Sequence, residues 1–182
     1  RRKAQGDRMT LGYYRLMNDV GVLKDKGDVV EMAQLAMDAG VPGEAQTVVQ
    51  KGMDSGTLKG ADKTEQGRYA RLLAGAKKQS DVDKAELASL AASAEKSSSG
   101  QALVALGQAY LSYGEIDKAI AALQKGIGMP GVTDLDEAQI SLGIAYLKKG
   151  QKDQARQAFN AVKDGSKWNE LADLWVIRTQ SA

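Results

Sequence analysis

Histidine and cysteine are both absent from the 182 residues. Their absence removes Ser–His and Cys–His pairs, thiolate nucleophiles, disulfides and zinc sites with nitrogen or sulfur ligands. Acid–base chemistry would rest on carboxylates, Lys, Tyr or Ser alone. Asp134, Asp136 and Glu137 cluster tightly enough to attract a cation, but no calcium-loop glycine or ligand spacing accompanies them. Acids at the start of a helix, where the dipole favours negative charge, account for that cluster and for Asp81-Val82-Asp83. Gly126-Ile127-Gly128-Met129-Pro130-Gly131 matches G-x-G-x-x-G. A dinucleotide fingerprint must follow a strand and open a helix, whereas this one follows a helical pattern and sits in a connection. Walker A, H-E-x-x-H and G-x-S-x-G motifs are absent. No catalytic residue, metal or cofactor is expected from these residues.

The chain is 43% hydrophobic and 26% charged, the composition of a folded domain rather than a disordered tail. Twenty-five basic residues against 23 acidic ones leave a net charge of +2, too small a field to mark a nucleic-acid partner. The most basic stretch, Arg1 to Arg8, reads as a flexible N-terminal tail over 1–8. No apolar run approaches the ~18 residues of a membrane span. The sequence begins at Arg1, so a signal or another domain is expected to have preceded it.

Ala, Leu, Lys, Gln and Glu dominate, and apolar residues recur three and four apart. Leu103, Leu106 and Tyr110 share one face, as do Ile140, Ile144 and Leu147. Glycines punctuate these runs. Gly114 and Gly150 each end one helical pattern just before the next begins, which forces an antiparallel hairpin. The spacing predicts helices over 9–25, 28–39, 43–55, 62–79, 82–97, 100–113, 115–127, 134–149, 151–163 and 167–180.

These hairpins repeat. Gly40, Gly114 and Gly150 each precede an alanine by five residues: Ala45, Ala119 and Ala155. Asp83-Lys84-Ala85 repeats the triplet Asp117-Lys118-Ala119, which adds Ala85 at spacings of 40, 34 and 36 residues. Thirteen residues before each alanine stand Met32, Leu72, Leu106 and Leu142, followed by Ala33, Leu73, Gly107 and Gly143. Small residues at a fixed register let helices approach closely, and Tyr110 and Tyr146 fill the wider space beyond. The last segment carries Trp168, Leu171, Leu174 and Trp175, and reads as a terminal cover with both tryptophans in packing roles.

Leu106-Gly107, Tyr110, Gly114 and Ala119 recur as Leu142-Gly143, Tyr146, Gly150 and Ala155, followed by Phe159. This pattern resembles the tetratricopeptide repeat family, strongly over 100–163 and moderately over 28–97. The resemblance implies an all-α, right-handed superhelix of about four to five hairpins. One continuous domain would comprise the tail, degenerate hairpins over 9–97, two well-formed repeats over 98–164 and a capping helix over 165–182. It further implies a non-catalytic scaffold that binds a protein or peptide in a concave groove. Counting along the first helix of each hairpin places Val104, Gln108 and Leu111 toward that groove, with Glu137, Ile140, Ile144 and Lys148 as counterparts. Ala105 and Ser141 stand where carboxylate-gripping members carry asparagine, so an apolar or mixed segment is the expected ligand. An accessory domain of a larger enzyme and a self-associating scaffold are the alternatives. The wording Leu35 to Ala45 is similar to bacterial repeat proteins, many of them exported, so a periplasmic location is expected, with the cytoplasm as the alternative.

Overall fold

The computed structural model describes residues 2–60 and 62–180. Among them are nine helices and no strand. They fall into two compact units, residues 1–86 and 87–182.

The first unit is built from α1 (Arg2–Asp19), α2 (Lys26–Asp38), α3 (Pro42–Asp54) and residues 63–86 of α4 (Lys63–Glu95). Asp25 caps α2, its carboxylate accepting from the Gly27 amide at 2.7 Å. Gly40 turns the chain with φ 76, and Pro42 then starts α3 at a position where a missing N–H costs nothing. The hairpin closes on Ala33, Ala36, Ala45 and Val49, each 0% exposed. Leu11 of α1, Met32, Val48, Leu58, Tyr69 and Ala76 complete this core. Arg15 grips both oxygens of Glu44 at 2.7–3.1 Å, tying α1 to α3.

The second unit holds residues 87–95 of α4, then α5 (Gly100–Ser112), α6 (Ile116–Ile127), α7 (Leu135–Lys148), α8 (Lys152–Asn160) and α9 (Asn169–Gln180). Here two hairpins, α5/α6 and α7/α8, stack in order, and α9 packs on α8. Gly114 and Gly150 make the turns with φ 74 and 80, which an L side chain rarely adopts. Ala119 and Ala155 are both 0% exposed, in equivalent places. A Cβ on Gly107 would stand 2.6 Å from Leu123 Cγ, and one on Gly143 would stand 2.6 Å from Phe159 Cδ1. Glycine is therefore the residue that lets each hairpin close. Phe159 in turn stacks on Trp175 of α9, centroids 5.6 Å apart. Trp168 and Trp175 are buried, and the Trp168 indole N–H donates to Asp134 at 2.9 Å.

Three expectations need correction. First, α1 begins at Arg2, so the segment 2–8 expected as a tail is helical; residue 1 lies outside the described residues. Second, the helices expected over 62–79 and 82–97 are one 33-residue helix, α4. Ser80 occupies the register of the turn glycines, and a serine there continues the right-handed helix instead of entering the left-handed region. Asp81 and Asp83 consequently lie inside a helix, not at the start of one. Third, Ala85 is exposed, unlike its three aligned alanines. Glycine-turned hairpins with a buried alanine at the crossing are α2/α3, α5/α6 and α7/α8 among the described residues.

Candidate partner-binding surface

The expected surface lies on α5 and α7. Ser99 caps α5, its hydroxyl accepting from the Gln101 amide at 3.3 Å. Asp134 caps α7, accepting from the Glu137 amide at 3.1 Å. The same Asp134 carboxylate pairs with Lys167 at 2.7 Å and receives the Trp168 indole. Burial raises the Asp134 carboxyl, but the bonds from Lys167, Trp168 and the Glu137 amide outweigh it, and the net shift is downward. The start of α7 is thus fixed by the segment that leads into α9.

The seven residues counted toward the groove divide sharply. Lys148 is exposed, while Gln108, Leu111 and Glu137 are half-buried. Val104, Ile140 and Ile144 are buried, at 3%, 3% and 6% exposure. These three do not present side chains to solvent. Val104 packs in one cluster with Ile120, Leu123, Ala138, Leu142 and Ala145, where α5 and α6 meet α7. The reason is the burial of α7: from Ile140 to Ala145 every residue is buried. A helix that is apolar all round is covered on every side. That unbroken run, Ile-Ser-Leu-Gly-Ile-Ala, is the signal that counting along one face overlooks.

Gln108 links the two helices. Its amide donates to Ser141 Oγ at 3.2 Å, and Ser141 in turn donates to the Glu137 carbonyl at 3.1 Å. Ser141, 2% exposed, is therefore satisfied within the protein. Gln101, missed in the residue count, is half-buried and accepts from the Thr133 amide at 2.8 Å, holding the α6–α7 connection against α5. Ala105 is the exposed residue of α5. Helix α5 carries no charged side chain anywhere in its 13 residues. The α7 charges sit at its ends, Asp136 and Glu137 at the start and Lys148 at the close. Among the described residues, no group of three or more carboxylates is placed to hold a metal ion. The G-x-G-x-x-G stretch begins in the last turn of α6 and runs into the loop before α7, with no strand ahead of it.

A glycine turn, an alanine at the crossing and a stacked second hairpin define α5–α8 as helical-hairpin repeats. The stretches 100–130 and 136–164 match the family described as Tetratricopeptide repeat. These two matched tetratricopeptide repeats are the α5/α6 and α7/α8 hairpins, about a third of the chain. Repeats of this kind generally mediate protein–protein interaction and typically act as non-catalytic scaffolds. No curated protein and no solved structure matches the chain. No helix of the described residues is long and apolar enough to cross a membrane.

Proposed function

We propose that the chain is a non-catalytic scaffold that binds a protein or peptide segment along α5 and the ends of α7. The observation that carries this reading is the uncharged α5, bearing exposed Ala105 beside half-buried Gln101, Gln108 and Leu111. The flat Ala105 lets a ligand backbone lie close. Gln108 spends its N–H on Ser141 and keeps an amide oxygen for a backbone N–H of the ligand. Leu111 offers apolar contact, and Lys148 and Glu137 mark opposite charges at the two ends of α7. A neutral or apolar segment suits this surface better than an acidic or basic one. Val104, Ile140 and Ile144 support it from behind and do not touch the ligand.

The test is a partner captured from the native organism and then titrated against variants by calorimetry. Ala105→Arg and Gln108→Arg, both on the accessible side of α5, should each weaken binding at least tenfold while the helical circular dichroism is kept. Affinity unchanged in both variants would move the site off α5. The bacterial periplasm remains our proposed compartment, checked by fractionating cells that express the native gene.

A further inference from the structure

The outer side of α4 in the first unit is cationic and bare. Between residues 63 and 80, Tyr69, Ala76 and Ser80 turn inward and are buried. Opposite them Thr64, Gly67, Arg71, Ala74 and Lys78 follow one another at steps of three and four residues, which places them in one line down the helix. Arg71, Ala74 and Lys78 are exposed. Lys63 and Lys77 flank the line on one side and Arg68 on the other, all three exposed. The residues between the cations are small. A Cβ on Gly67 would stand 3.3 Å from Arg71 Nη1, and one on Gly75 would meet nothing within 4 Å.

No carboxylate answers these cations. The one acid of the stretch, Glu65, is committed elsewhere: it accepts from Lys26 Nζ at 2.6 Å and from the Tyr69 hydroxyl at 2.8 Å. Asp62, just ahead, caps the helix, accepting from the Glu65 amide at 2.8 Å. Among the described residues, none of Lys63, Arg68, Arg71, Lys77 and Lys78 has an ion-pair partner. In the second unit, by contrast, Lys125 finds Glu95, Lys149 finds Asp117 and Lys167 finds Asp134. Arg68 and Arg71, three residues apart on one helix, repel each other, and an anionic partner removes that cost.

The ends and the composition of the stretch select the kind of anion. Asp62 stands before it, and Asp81, Asp83 and Glu86 follow it. The cations from Lys63 to Lys78 therefore span only about 22 Å, the length of about seven extended residues. A longer polyanion such as a nucleic acid would run onto carboxylates at both ends. The exposed residues from 63 to 80 include no aromatic ring on which a base could stack and no large apolar side chain to enter a lipid surface. We propose that the Lys63–Lys78 face of α4 docks a short acidic protein segment. Arg71 and Lys78 pair with its carboxylates along the centre, Lys63, Arg68 and Lys77 along the flanks, and Ala70, Ala74 and Gly75 leave room for its backbone. This is a second site, in the first unit, and it stands apart from the binding reading of α5 and α7.

Fluorescence anisotropy tests it with the full chain and a glutamate-rich peptide of about eight residues carrying a neutral dye. The peptide should bind at about 0.05 M salt and weaken as salt rises to about 0.5 M, while a glutamine-for-glutamate copy should not bind. Arg71→Glu with Lys78→Glu should weaken binding about tenfold or more, and Arg71→Gln with Lys78→Gln by a smaller factor, with the helical circular dichroism kept. Lys96→Glu with Lys163→Glu, two exposed cations outside the stretch that likewise have no ion-pair partner among the described residues, should leave the affinity unchanged. Failure of the glutamate peptide to bind overturns the proposal, as does equal binding of the glutamine copy or an equal loss in the Lys96 and Lys163 variant. Tighter binding of an oligothymidylate of the same length, or of phosphatidylserine vesicles, that is lost in the Arg71 and Lys78 variant also overturns it, because the face would then serve a nucleic acid or a membrane.

Discussion

Glycine to alanine should act with opposite signs at two helical sites of this chain. At Gly143 a Cβ would stand 2.6 Å from both Phe159 Cδ1 and Cζ. The ring must retreat by roughly 1 Å to reach ordinary carbon contact. It has nowhere to go: Phe159 and Trp175 are each 1% exposed and stacked on one another. Overpacking of this kind costs about 1–3 kcal/mol, and disturbing the aromatic pair removes up to about 1 kcal/mol more. Alanine's better helix propensity returns about 1 kcal/mol, so Gly143→Ala should lose a net 1–3 kcal/mol or so. At Gly75 in α4, nothing lies within 4 Å of the added methyl. Only the propensity gain of about 0.5–1 kcal/mol operates there. Urea denaturation followed by circular dichroism reads both variants, and near-ultraviolet dichroism reads the aromatic pair. Equal stability of the two variants, or a Gly143→Ala protein with an unchanged aromatic spectrum, would refute the close-approach account of the repeat.

Two further outcomes concern titration. The Asp134 carboxyl lies below its unfolded value, so the stability it contributes is present above about pH 4 and drains away as pH falls through its lowered folded value. Asp134→Ala should cost about 0.5–2 kcal/mol at pH 7 as a lost cap and flatten the acid limb of a stability–pH curve measured by denaturant titration. The Tyr14 hydroxyl is pushed up by burial, then by its 2.9 Å bond to Glu31 and the nearby Asp28. Its contribution is complete below about pH 10 and is lost as pH rises toward the raised folded value. Ultraviolet titration of the six tyrosines should show a late-ionising fraction that Tyr14→Phe reduces, the remainder belonging to Tyr69, which burial and its bond to Glu65 also raise.

The repeat register was legible because its physics is local. A left-handed turn all but requires glycine, and a helix crossing requires a small residue, so Gly114 with Ala119 and Gly150 with Ala155 announce their hairpins from type and spacing. The same logic extends to Gly40 and Ala45, where α2/α3 closes as the matched repeats do, though the family match does not reach it. It failed at Ser80 because the aligned Ala85 satisfied half of the rule while the turn residue broke the other half.

The surface residues were harder, for a physical reason rather than an accidental one. Which face of a helix is open depends on how many neighbours it has, and periodicity reports only the faces that are apolar. On α5 the small Ala105 is as apolar as the buried Ala109, yet one faces water and the other the core. On α7 the core surrounds the middle of the helix, so Ile140 and Ile144 read as groove residues by count and as packing by burial. Neutral side chains are the ones that a count misassigns, whereas Lys148 and Glu137, anchored at the helix ends by charge, both avoid full burial. A variant scan of the α5–α7 surface should accordingly begin from Ala105, Gln108 and Lys148. Changes at Val104, Ile140 or Ile144 would report on folding before they reported on binding.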